Sequence, residues 1–352
     1  MSEKLGFAII GCGVVGHKHA QEISGMLDAH LVAVADIIPQ RAQEVANSYN
    51  ALWFVDYHQM LELPNVDIVT VCVPSGMHAQ VAVDAAQAGK HLIVEKPIDL
   101  SLQKADWLIE EANRAHVLLS VVSQHRFDES TVRVKQAVNK GKLGNLFLAQ
   151  ASVFWYRSQG YYDSEDWRGT WALDGGALMN QSIHTIDLLQ YMMGSVDEVY
   201  ALTGTYAHKM EAEDTAVVTV KFQGGVLATI AATTGAYPGL SARLEIFGDL
   251  GSAVIDGDRL TYLYEADHTI EGIERRVIAE NLANSMTKNN AETSVAPLWS
   301  ESSAHRLQFQ DMINAVQTGA QPFVRGEDGR KVLETILAIY ESSRTGKPMR
   351  LH

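Results

Sequence analysis

Over the first third of the chain, short apolar runs alternate with amphipathic stretches. The runs LGFAII (5–10), LVAVAD (31–36), DIVTVCV (67–73), KHLIVEK (90–96) and VLLSVVS (117–123) are apolar at successive positions, as strands buried on both faces must be. Between them, residues 14–28, 39–49, 76–88 and 101–115 carry helical patterning, with Pro39 at a first helical position and Ser101 at an N-cap. Strand and helix in alternation predict parallel strands joined by right-handed crossovers.

Past about residue 125 the texture changes. A helix at 128–140 leads into NLFLAQASVFWY (145–156). The runs at 197–207, 214–223, 226–235 and 242–248 then show period-two alternation, joined by short turns such as Gln223-Gly224-Gly225. That pattern predicts a largely antiparallel sheet. Helices near 300–318 and 327–343 close the chain, and the polar stretch 265–299 reads as a long loop. The expectation is a doubly wound domain over 1–124 and an α+β domain over 125–352.

The segment AIIGCGVVGHKHA (8–20) sits at the first strand–helix junction. Gly11 permits a tight turn, Gly13 lets the backbone approach a pyrophosphate, and Gly16 lets the helix pack closely on the strand. The N–H groups and dipole at the helix start favour phosphate charge. The candidate dinucleotide cradle is therefore Gly11, Gly13, Val14, Val15 and Gly16. The plainer alternative is a turn that only needs positive φ at glycine. Asp36 ends the next strand 20 residues past Gly16, where a ribose-binding carboxylate belongs. It would repel a 2′-phosphate, which favours NAD, while Arg41 nearby keeps NADP open.

A second constellation lies within VCVPSGMHAQVAVDAAQAGKHLIVEKP (71–97). Pro74 and Ser75 end one strand and His78 opens the following helix. Glu95, Lys96 and Pro97 end the next strand. Ligands of such sheets bind at strand carboxyl ends, and Pro97 restricts Lys96 to an extended backbone.

Composition narrows the field. The chain has 352 residues, enough for two domains, and 47% of them are apolar. A formal net charge of −14 argues against a nucleic-acid partner, which needs a basic surface. Cys12 and Cys72 are the two cysteines, so no disulfide framework is expected and a reducing compartment fits. No basic-then-apolar leader opens the chain, and no run reaches the roughly 18 apolar residues of a membrane span. A cytoplasmic protein without membrane partners is expected.

On the glycine motif, the Pro-Ser-x-x-x-His run and Glu95-Lys96-Pro97, the chain resembles the Gfo/Idh/MocA family of glucose–fructose oxidoreductases and inositol dehydrogenases. The resemblance continues through GGALMNQSIHTIDLLQYMMG (175–194) and GRKVLETILAIYESSRTGKPMRL (329–351). It implies an α/β fold: an NAD(P)-binding Rossmann domain, then a substrate-binding and oligomerisation domain with a large, mostly antiparallel open sheet. It also implies NAD-dependent hydride transfer at a hydroxyl of a sugar or cyclitol, in a homodimer or homotetramer.

Read as one helix, 178–193 places Met179, Ile183, Ile186 and Met193 on an apolar stripe. Asn180, His184, Asp187 and Tyr191 fall on an adjacent face. Spacing alone leaves open whether His184 is a buried histidine satisfied by Asp187. The resemblance aligns His184 with the family's active-site histidine and Lys96 with its active-site lysine. Two positions depart from the common pattern: Asn180 stands where many members carry Asp, and Asp174 where they carry a third Gly. The MNQxIH form resembles glycoside and nucleotide-sugar dehydrogenases. Trp167 and Arg168 match a pair that reaches the cofactor in relatives. Tyr156, Arg157, Tyr161 and Tyr162 are candidate sugar contacts, against a reading as ordinary loop packing. Gln124 and Arg126 are candidates at the end of the last parallel strand.

His17-x-His19 does not share a helix face, and no metal site is expected. The mechanism implied has His184 as general acid/base, Lys96 hydrogen-bonding the reacting oxygen, and Glu95 orienting Lys96 or the cofactor. Two other functions compete: an oxidoreductive NAD-dependent glycosidase and a non-catalytic NAD-binding regulator.

Overall fold

In the computed structural model, which describes residues 4–265 and 303–351, the apolar runs of the first third form one six-stranded sheet. Its strands are β1 (Leu5–Ile10), β2 (Ala29–Ala35), β3 (Leu52–Phe54), β4 (Ile68–Val71), β5 (His91–Val94) and β6 (Leu119–Val121). They lie in the order β3-β2-β1-β4-β5-β6, every neighbouring pair parallel. The order reverses direction at β1/β4, the crevice where doubly wound sheets bind ligands. The crossovers are α1 (Val14–Ser24), α2 (Pro39–Tyr49), α3 (Tyr57–Leu61), α4 (His78–Gln87) and α5 (Leu102–Arg114). Strand β3 and helix α3 escaped the sequence reading. β3 is apolar (Leu52, Trp53, Phe54) but only three residues long and largely exposed at the sheet edge, too short to stand out as a strand.

The first compact unit holds this sheet (4–124) with residues 172–174 and 303–333. Its core gathers Phe7, Ile9, Ile23, Val34, Ile68 and Ile93 against Phe309, Met312 and Ile313. The last three lie on α9 (Ala304–Thr318). Gln308 of the same helix accepts the Ser123 N–H at 3.1 Å and donates to the Val121 carbonyl at 2.8 Å.

The second unit comprises 125–171, 175–265 and 334–351. Its eight strands are β7 (Leu146–Phe154), β8 (Val196–Gly204), β9 (Thr215–Phe222), β10 (Leu227–Thr233), β11 (Arg243–Gly248), β12 (Gly251–Asp256), β13 (Arg259–Glu265) and β14 (Met349–Arg350). They run in the order β13-β12-β11-β7-β10-β9-β8-β14. Only β7–β10 is parallel; the other neighbours are antiparallel. Helices α6 (Glu129–Asn139) and α8 (Ile183–Met193) pack on the sheet, and the short helix α7 (Gln159–Tyr162) follows β7. The hairpin β12–β13 went unread, although Asp256-Gly257, with Gly257 at φ 65°, is a turn signal. Apart from Glu265, the stretch 265–299 expected as a loop lies outside the described residues.

The helix expected over 178–193 is not one helix. Residues Ala177–Ser182 form a π-helical turn, and α-helical geometry begins at Ile183. The wider turn breaks the spacing that put Asn180 in phase with His184 and Asp187. Such turns are frequent at functional sites.

Candidate active site

The first unit presents its candidates at strand carboxyl ends. Gly11 follows β1 at φ 97°, and a Cβ there would lie 2.5 Å from the Cys72 carbonyl oxygen. A Cβ on Gly16 would lie 2.0 Å from the Gly11 carbonyl oxygen, whereas one on Gly13 would meet nothing within 4 Å. Gly11 and Gly16 thus close the turn, and Gly13 faces open space. Gly13 is the N-cap of α1, with no side-chain cap and no acid in the first turn, so the leading N–H groups remain available to an anion. Val14, 84% exposed, and Val15 flank that helix start. An open side at Gly13 and an uncapped helix start fit a pyrophosphate. Asp36 is held by two main-chain donors: Cys12 N–H to Oδ2 at 2.7 Å and Ile38 N–H to Oδ1 at 2.8 Å. The carboxylate is therefore fixed beside the glycine loop with acceptor capacity to spare.

Pro74 and Ser75 follow β4. His78, buried at the start of α4, turns Nδ1 to the Pro97 carbonyl (2.6 Å) and Nε2 to the Val73 carbonyl (2.9 Å). It lies between the two loops that end β4 and β5; burial pushes its pKa below the usual imidazole range, so the neutral ring donates to one of the two carbonyls at a time. Past β5, Glu95 is buried while Lys96 is half-buried and joined to Pro97 by a cis peptide bond. Glu95 Oε1 lies 3.0 Å from His19 Nε2, and Oε2 accepts the Lys96 N–H at 3.1 Å. Burial works against both charges, but each ion supports the other. Glu95 is held well below the carboxylate range by His19, and His19 is raised to about 10, against its burial, by Cys72 first and Glu95 second. Burial, with Asp36 nearby, pushes the Cys12 thiol up to about 12, which disqualifies it as a nucleophile. Gln124 is buried just past β6.

In the second unit, Glu213 builds the π-helical turn that carries Asn180 and leads into the α-helix of His184. Its main-chain oxygen accepts the Ala177 N–H at 2.8 Å. Its Oε1 accepts the Leu178 N–H at 2.8 Å and the Tyr340 hydroxyl at 3.0 Å. Oε2 has no hydrogen-bond partner among the described residues. Burial raises this carboxyl from 4.5 to about 7, against the pull of those hydrogen bonds. A raised pKa means that the native state keeps a proton the unfolded chain has lost. The contribution to stability is therefore complete below pH 4.5 and is lost as pH rises through 7. The shift corresponds to a loss on the order of 3 kcal/mol. Glu213→Gln, a neutral isostere, should remove this slope: denaturant titrations from pH 4 to 8 should show the parent losing ground to the variant as pH rises.

His184 is half-buried, its ring edge-on to His125 with centroids 5.3 Å apart. His125 Nδ1 lies 2.6 Å from Asp128 Oδ2. Asp187 gives both oxygens to Arg126, at 2.9 and 2.6 Å, and the Arg126 guanidinium lies over the Tyr191 ring. The structure therefore places Arg126, Asp187 and Tyr191 in one group, the ion pair buried and Tyr191 half-buried. A second group joins Arg157, Tyr161, Arg168 and Asn180 through Gln181. Gln181 Oε1 accepts from Arg157 at 3.0 Å, and Nε2 donates to Tyr161 Oη (3.1 Å) and Asn180 Oδ1 (3.2 Å). Arg168 donates to the Tyr161 hydroxyl at 2.6 Å and lies over the Trp167 ring. Tyr156 packs edge-on against Tyr237, and Tyr162 is buried on Thr234. Sequence reasoning missed Gln181 and His125. Gln181 neighbours Asn180, and only the π-helical turn brings its amide into the group.

A glycine cradle before a parallel-sheet helix, with a carboxylate on the next strand, defines a dinucleotide-binding protein. Comparison with known proteins agrees. The oxidoreductase family model with an NAD-binding Rossmann fold matches residues 5–123, and the GFO/IDH/MocA C-terminal domain model matches residues 131–254. An uncharacterized oxidoreductase of Bacillus subtilis, YrbE, is 33% identical over 74% of this chain and 76% of its own. Myo-inositol 2-dehydrogenase of Thermotoga maritima is 29% identical over 97% of both chains. The WlbA dehydrogenase of Bordetella pertussis, solved with NADH and UDP-GlcNAcA, superposes with a TM-score of 0.86 at 30% identity over 99% of both chains. The chain belongs to the GFO/IDH/MocA family of NAD(P)-dependent oxidoreductases acting on CH–OH groups.

Proposed function

We propose that this protein transfers a hydride between a nicotinamide cofactor and one hydroxyl-bearing carbon of a sugar, glycoside, nucleotide sugar or cyclitol. The observation that carries the substrate class is the polar group around Gln181. Guanidinium and amide donors there alternate with tyrosine and tryptophan faces, a mixture suited to the hydroxyls and C–H faces of a polyol. Relatives named for inositol and UDP-GlcNAcA support it.

A bound nicotinamide supplies the hydride acceptor or donor; the chain handles binding and the proton. The α1 N–H groups hold the pyrophosphate, and Asp36 takes the ribose hydroxyls. His184 removes the hydroxyl proton during oxidation and returns it during reduction. Lys96 hydrogen-bonds the reacting oxygen and stabilises alkoxide charge, with Glu95 fixing its backbone. Asn180 cannot take a proton and serves as a hydrogen-bonding group. Asp36→Ala should weaken NAD binding about 10- to 10²-fold and NADP far less; equal losses in paired titrations would remove Asp36 as the selector.

A panel of sugars, glycosides and cyclitols, assayed by nicotinamide absorbance with NAD and NADP in parallel, tests the reading. Aglycone release without net NADH would favour the glycosidase, and absence of turnover across the panel the regulator.

A homodimer or homotetramer is proposed on the sheet of the second unit. Leu202 pairs with Val217, Leu227 with Leu148, and all four are exposed on the face away from the buried positions. Among the described residues no helix is long and apolar enough to cross a membrane. Free Cys12 and Cys72 support a reducing, cytoplasmic setting.

A further inference from the structure

His19 has no part in the reading above, yet it is held from several sides near the cradle. It lies on α1, fully buried, with Nδ1 2.6 Å from the Thr70 hydroxyl on β4 and 3.2 Å from Cys72 Sγ. Its Nε2 lies 3.0 Å from Glu95 Oε1, whose partner oxygen accepts the Lys96 N–H. The Phe309 ring closes its flank edge-on at 5.0 Å. One imidazole thus ties the cradle helix, the end of β4 and the residue after β5. A buried ion pair is a poor source of stability, because desolvation offsets its attraction. What this pair gives is geometry.

We propose that His19 is a positioning residue: acting through Glu95, it fixes the main chain from which Lys96 projects. The proposal rests on the reading of Lys96 as the group at the reacting oxygen. Its reach goes further, since the link makes the cradle helix and the lysine one rigid piece of the first unit.

The test compares His19→Gln, whose amide can reach Glu95, with His19→Asn, whose shorter amide reaches only Thr70. Lys96 acylation by acetic anhydride, quantified by peptide mass spectrometry against exposed lysines, needs no substrate. His19→Gln should label within about threefold of the parent, and His19→Asn should differ from it by about tenfold, as the lysine's surroundings change. Glu95→Gln, the other end of the link, gives the same comparison if His19→Asn fails to fold. With a substrate from the panel, turnover should fall about 10²-fold in His19→Asn, with NADH affinity little changed. Identical labelling in all variants, with only the thermal midpoint lowered, would overturn the proposal. A stoichiometric divalent ion in the purified protein, lost in both variants, would also overturn it, since His19, Glu95 and His305 offer ligand atoms within 4.8 Å of one another. Lys96→Ala separates the two readings: full turnover there refutes the role of Lys96, while the labelling still decides the role of His19.

Discussion

Replacing His184 by alanine should lower turnover by about 10²- to 10⁴-fold, the range for loss of a positioned general acid/base. NADH affinity should stay near that of the parent, because the proposed pyrophosphate and ribose contacts lie in the first unit's glycine loop and Asp36, away from His184 in sequence and unit. An imidazole needs little adjustment to serve as a base near neutral pH. His184 is half-buried and backed by His125, itself bonded to Asp128, so its ring is both reachable and held. Stopped-flow measurement at saturating substrate separates the proton step from product release. Undiminished turnover would remove His184 from the chemistry.

The second large effect is expected at the cradle. Gly16→Ala puts a methyl 2.0 Å from the Gly11 carbonyl oxygen, and main chain cannot step aside as a flexible side chain can. Helix α1 must move off the turn, costing about 1–3 kcal/mol of stability as overpacking and about 10- to 10²-fold in NADH affinity through misplaced N–H groups. Gly13→Ala is the control: its methyl meets no protein atom within 4 Å. It should leave the thermal midpoint unchanged while weakening NADH. Fluorescence titration and thermal unfolding of both variants give four numbers. If Gly16→Ala keeps both its affinity and its midpoint, the close approach has no functional weight.

The cradle was legible in the sequence because its constraints are local. A buried strand, a turn and a helix start lie within one short segment, and Asp36 follows at a fixed spacing. The place of Lys96 just past a parallel strand was legible for a similar reason, being the last polar residue before a proline at a strand end. The second unit was harder. Glu213 caps the π-helical turn from far along the chain, and no residue between 177 and 182 announces that the turn widens there. Gln181 and His125 acquire meaning only through their neighbours in space. His19 was weighed as half of His17-x-His19, whereas its partners are Thr70 and Glu95, more than 50 residues away. Periodicity describes an element's own faces and carries no information about which distant carboxylate meets them.

Helix α9 carries a consequence for how the molecule is made. Phe309, Met312 and Ile313 belong to the core of a unit whose strands end by Val121. A ribosome releasing this protein from its amino end therefore cannot finish the nucleotide half first and move on. The half-built sheet must wait, its apolar flank uncovered, until nearly the whole chain has emerged, and for that interval it is a natural client for chaperones.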